Sequence, residues 1–270
     1  TRGRRGPSPI FLGLAAIALL SGGALFLGIG APGIVAFFFV LSAWVITLCL
    51  HEFAHALVAY RNGDESVVHR GYLTLDPLRY THPVFSIVLP LIFVLLGGIG
   101  LPGGAVFVDH RALRTRGARS RVSAAGPLTN LAIAIVLAVV LAVGIGVDAP
   151  RGVNAGMPHL DFWAALAFLL FLQVTATVLN LLPIPGLDGF GIIEPYLPAT
   201  WLARAARIAP FAILILFGML WIPVVNTWRF QGANATLLIS SSSFSRGVWN
   251  PRVLRGRSLS WVTMAWISAS

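Results

Sequence analysis

Charged residues make up only 10% of this 270-residue chain, against 57% hydrophobic residues. A soluble domain carries about 25% charged residues. With a mean hydropathy of +0.85, the shortage excludes an ordinary soluble domain and implies one membrane-embedded domain of several spans, each about 20 residues long. Cysteine is almost absent. Cys49 stands alone, which excludes an intramolecular disulfide and any Cys-rich metal site, and it reads as a small apolar packing residue. Acidic residues are also scarce, nine against nineteen basic ones, for a net charge of +10. That excess could suggest nucleic acid, but the arginines fall in loops and tails between apolar runs, where they orient a polytopic protein. The expected surroundings are a lipid bilayer, with no nucleic acid. No internal repeat is evident.

Apolar runs stand at 10–30, 34–60, 84–101, 122–147, 161–182 and 208–226. They predict an all-α polytopic membrane protein with about five to six transmembrane helices. Residues 1–9 read as a basic cytoplasmic N-terminus, 10–227 as the membrane-embedded domain and 228–270 as an atypical tail. The tail has a serine run and scattered arginines and tryptophans without helical or alternating period. The first run follows Arg2, Arg4 and Arg5 and resembles a signal peptide, but no small-x-small site closes it and further spans follow, so an uncleaved helix is expected.

Charge placement then conflicts with a simple count of crossings. Arginines cluster at 2–5, 61–79, 111–121 and 204–207, and the positive-inside rule puts all four segments in the cytoplasm of a multi-pass cell-membrane protein. If every run crossed, 109–121 would fall on the far side from the N-terminus. Residues 84–108 contain Gly97, Gly98, Gly100, Pro102, Gly103 and Gly104, and are expected to form a re-entrant hairpin that enters and leaves on one side. Non-helical backbone at that depth requires burial or a wet cavity. The alternative is a Gly-rich helix packed closely on its neighbours.

Within the second run lies "HEFAH". His51 and His55 are four residues apart, so a helix projects both from one face. Glu52 completes the H-E-x-x-H pattern, in which two imidazoles bind zinc and the glutamate acts as general base. Ionisable groups at membrane depth are expensive and need a reason. Asp64, Glu65, Asp76, Asp109, Asp148 and Asp161 fall in loops or at span edges and read as solvated charges. Asp188 sits in "LNLLPIPGLDGFG", where prolines and glycines break the helix and leave its carboxylate on a turn. A catalytic zinc commonly takes three protein ligands and leaves a position for water; His51, His55 and Asp188 would supply them. Glu194 is the rival third ligand. A transporter or ion-coupled channel using the His pair is the competing reading, although it gives Glu52 no task. His69, His82, His110 and His159 show no partner pattern.

"HEFAH", "AAGPLTN" from Ala124 to Asn130 and "NLLPIPGLDG" from Asn180 to Gly189 resemble, in that order, the motifs of the site-2 protease family of intramembrane zinc metalloproteases. The resemblance covers about residues 10–226 and implies a minimal, prokaryotic-type member without a PDZ or CBS domain. It implies one zinc per chain held by His51, His55 and Asp188, with Glu52 activating water. The implied substrate is a membrane protein, for instance a single-pass regulator such as a membrane-tethered anti-sigma factor. Asn130 and Asn180 are candidates for holding the oxyanion or a substrate strand, with interhelical hydrogen bonding as the alternative. Gly126 reads as a packing residue. A helical substrate must unwind before its carbonyls are accessible, and Leu101 to Val108 is expected to offer a strand edge for it.

Overall fold

The computed structural model describes residues 6–80, 109, 112–150, 153 and 156–211. In chain order these form α1 (Pro9–Leu27), α2 (Pro32–Arg61), α3 (Ser66–His69), α4 (Arg116–Asp148), α5 (Leu160–Asn180), α6 (Asp188–Ile193) and α7 (Ala199–Ile208), with no strand among the described residues. Helices α1, α2, α4 and α5 are each long and apolar enough to cross a membrane. The chain is a polytopic membrane protein, all-helical among the described residues. The runs expected at 10–30, 34–60, 122–147 and 161–182 coincide with these four helices. The run at 84–101, most of that at 208–226, the hairpin at 84–108, the strand edge and the tail at 228–270 lie outside the described residues.

Local chemistry sets the helix ends. The Ser8 hydroxyl caps α1 by accepting from the Phe11 N–H at 3.1 Å, Pro9 supplies a first residue that needs no N–H partner, and Gly28 ends the helix at φ 68°. Pro32 opens α2 in the same way. Thr115 caps α4 by accepting from Ala118 at 3.0 Å.

The four long helices run alternately up and down between a basic end and an opposite end. At the basic end the Ser8 N–H, just before α1, donates to the Thr74 carbonyl at 2.8 Å. Arg121 in the first turns of α4 reaches Asn62, beyond the last residue of α2, at 3.0 Å. At the opposite end His159 stacks on Phe26 with ring centroids 3.7 Å apart and its Nδ1 bonds the Phe26 carbonyl. Trp163 donates to Asp148 at 2.8 Å and packs where Gly144 has no side chain. His159, Asp148 and Trp163 thus tie α1, α4 and α5 together, a role that the sequence reading gave to neither His159 nor Asp148.

Helix α5 is central. Two thirds (67%) of its apolar window is buried, against 22% for α1 and for α4. Helix α4 turns Leu131, Ile135, Val139 and Val143 outward, a face suited to lipid. Because lipid is as apolar as the helices, close fit rather than hydrophobic exclusion holds them together; Gly22 against the Phe39 ring is one such contact.

Asp64 corrects another expectation. It is not solvated but 1% exposed, accepting from Ser66 N at 2.9 Å and from Asp109 N at 2.8 Å. A hydrogen bond to a charged group contributes about 1.5–3 kcal/mol. Asp64→Ala is therefore expected to destabilise the basic end by about 3 kcal/mol or more, read as a lower unfolding midpoint of the purified protein; an unchanged midpoint would show that the loop is held by other contacts.

Candidate metal centre

His51, Glu52 and His55 lie in the second half of α2, all buried, with Glu52 only 3% exposed. Facing them, α4 presents Val122, Gly126 and Asn130, spaced four apart and so on one face. His55 Nδ1 stands 2.7 Å from the Val122 carbonyl oxygen. A carbonyl can only accept, so Nδ1 carries the proton and the neutral ring keeps its lone pair on Nε2. The rings of His51 and His55 occupy the space where Gly126 has no side chain, and a Cβ there would overlap Nε2 of both. Only glycine lets α4 come this close.

Asp188 arrives from the other side. After α5 ends at Asn180, Pro183 and Pro185 prevent its continuation and Gly186 turns the chain at φ 96°. Asp188 is the first residue of α6, so the expected turn is in fact the start of a short helix. Helix α6 is clamped on both sides. Gly189 lies against the carbonyls of Leu181 and Leu182, with no room for a Cβ, and the Ser120 hydroxyl of α4 donates to the Ile192 carbonyl at 2.7 Å.

Three ligand-type groups converge. His51 Nε2 and His55 Nε2 are 3.1 Å apart, and the Asp188 carboxylate straddles them, Oδ2 at 3.3 Å from His51 and Oδ1 at 3.3 Å from His55. Among the described residues this is the one group of three or more such side chains able to hold a metal ion. Lone pairs aimed at one another repel unless a cation, a proton or a metal ion, lies among them. Zinc fits the same cluster. Ligands about 2.0–2.1 Å from a tetrahedral ion stand about 3.3 Å from each other, the spacing found here, and nitrogen and carboxylate oxygen are donors that zinc takes.

The remaining candidates are less engaged. Asn130 and Asn180 are buried on α4 and at the end of α5. Glu194 is exposed and stands outside the cluster, so the rival ligand set gains nothing. The Val122 carbonyl and the contact of Gly126 with both imidazoles were missed by sequence reasoning. A backbone carbonyl carries no sequence signal, whereas Gly126 did signal close approach without saying to what.

Two imidazoles and a carboxylate brought together at membrane depth, beside a buried glutamate, define a metallohydrolase embedded in a membrane. The sequence profile of peptidase family M50 matches residues 36–222. The chain is 45% identical over 230 residues to a Mycobacterium tuberculosis protein named as the zinc metalloprotease Rip2, covering 83% of this chain and 84% of that protein. It is 44% identical over 231 residues to the Mycolicibacterium smegmatis protein of the same name, with the same coverage of 83% and 84%. A Bacillus subtilis protein named as the zinc metalloprotease YwhC is 30% identical over 184 residues, 67% of this chain and 78% of that protein. No solved structure matches. The chain belongs to peptidase family M50, the site-2 proteases. It is a membrane zinc metalloprotease, and the transporter reading finds no support.

Proposed function

We propose that this chain hydrolyses a peptide bond in or beside a transmembrane segment of a substrate protein, with His51, His55 and Asp188 as the zinc ligands and Glu52 as the general base. The observation that carries this reading is the convergence of the three ligand groups at 3.1–3.3 Å. Bound zinc supplies Lewis acidity, polarising a carbonyl and acidifying water. Glu52 takes the proton of the attacking water and delivers it to the departing amine. The Val122 carbonyl fixes the tautomer and angle of His55, as partners of metal-binding histidines do. Buried Asn130 and Asn180 supply amide donors for the developing oxyanion or a substrate strand.

The site lies at depth and opens on one side. Arg61 lies ten positions beyond His51 on α2, about 15 Å at 1.5 Å per residue. The Asp188 side chain is 21% exposed, against 7% and 9% for His51 and His55, so water and substrate approach past Asp188. Arg61, Arg70, Arg79, Arg116 and Arg121 sit in or beside the elements of the basic end. This supports a cell-membrane protein with that end and the N-terminus in the cytoplasm. A single-pass regulator, such as an anti-sigma factor, suits a protease of this kind.

Reconstituted in liposomes with a single-span substrate, the protein is expected to cleave it, to stop on chelation and to recover with added zinc. Cleavage that survives complete removal of metal would refute the reading.

A further inference from the structure

Gln173 sits in the middle of α5, 1% exposed, where a primary amide is expensive without partners. Its Nε2 donates to the Thr47 hydroxyl at 2.8 Å. The Thr47 hydroxyl proton is already committed to the Trp44 carbonyl at 2.7 Å, so Thr47 can only accept from Gln173. That fixes which end of the amide faces Thr47. The other end, Oε1, is buried without a hydrogen-bond partner.

A second unpartnered atom belongs to the residue one helical turn from Thr47 on α2. Thr47 and His51 are four residues apart on one face of α2, and His51 Nδ1 is likewise buried without a partner. With Nε2 of His51 turned to the ligand cluster, Nδ1 of the neutral ring carries the proton and requires an acceptor. One orphan is thus a donor and the other an acceptor. The step from Thr47 to His51 rises about 6 Å along the helix axis, and a water that makes two hydrogen bonds of about 2.8 Å bridges groups up to about 5.6 Å apart.

We infer that Gln173 is a positioning residue of the metal centre, its Oε1 receiving the His51 Nδ1 proton's hydrogen bond through one bridging water. His51 Nδ1 donates to the water and the water donates to Gln173, so both orphans are satisfied at once. This gives His51 the orienting partner that Val122 gives His55. Thr47 holds the amide in the orientation that serves the ring. The inference rests on His51 being a zinc ligand, as proposed above.

The test is zinc affinity, measured by chelator competition on the purified full chain in detergent, with no substrate present. Gln173→Met keeps length and removes the acceptor, and is expected to weaken zinc about 10–100-fold, the usual cost of losing such a partner. Gln173→Glu keeps an acceptor at the same place and is expected to restore affinity to within about threefold of wild type, on the hydrogen-bonding logic of that same partner. Thr47→Val frees the amide to turn and is expected to fall between them, which keeps the test open if Gln173→Met fails to fold. Unchanged affinity in Gln173→Met, or equal losses in the Met and Glu variants, would overturn the inference and leave Gln173 as a packing contact between α5 and α2. A wild-type chain that binds no zinc would instead overturn the ligand assignment itself.

Discussion

Glu52→Gln is expected to retain zinc and lose cleavage. The three ligand groups belong to His51, His55 and Asp188, so nothing in the cluster changes when Glu52 loses its charge. Glutamine has nearly the same shape, yet it cannot take a proton from water. General-base catalysis typically contributes about 10²–10⁴-fold, and a loss of that size is expected here. Glu52 is 3% exposed and glutamine fills the same space, so the fold is expected to survive. Zinc analysis and substrate cleavage on the same preparation separate the two effects. Substantial cleavage by the variant would take the base role away from Glu52; loss of zinc would make Glu52 part of the ligand set.

Gly126→Val is expected to remove both zinc and activity, although Gly126 binds nothing. A Cβ at this position would overlap Nε2 of His51 and of His55, the two atoms assigned to the metal. The helix cannot simply retreat. Its first turns are held by the Ser120 bond to Ile192 and by the Val122 carbonyl on His55. The imidazoles must swing away instead, and displacing ligands is more damaging than losing an orienting partner, which alone costs about 10–100-fold in metal affinity. Gly13→Ala is the matched control, because a Cβ there meets nothing within 4 Å and zinc and cleavage should stay at wild-type levels. A Gly126→Val protein with full zinc would mean that α4 stands farther from α2 than described.

The cluster of His51, His55 and Asp188 was largely legible in the sequence, because helix periodicity alone puts His51 and His55 on one face and makes Glu52 hard to explain otherwise. Asp188 was legible by elimination, being an acidic residue released from a span by prolines and glycines. What could not be read depends on how one helix meets another. Nothing in "RVSAAGP" announces that the Val122 carbonyl bonds His55, since every residue has a carbonyl. Asp64 looked like a loop charge because burial of a loop is a tertiary fact, set by the return of the chain at Asp109. Gln173 resembles any tolerated polar residue in a span until Thr47 fixes its amide and leaves one oxygen unmatched. Helix ends depend on local chemistry that apolar runs do not register: Ser8, Pro32 and Thr115 start helices and Gly28 stops one, so α4 begins at Arg116 and not at 122, where its apolar run starts.

The most direct measurement is the zinc content of the purified full chain beside that of Asp188→Ala. Three converging ligands predict one zinc per chain in the wild type, retained through purification, and little or none in Asp188→Ala, because two imidazoles alone leave the ion half-bound. A wild type without zinc, or an Asp188→Ala protein that keeps one zinc per chain, would contradict the assignment of His51, His55 and Asp188 as the metal site.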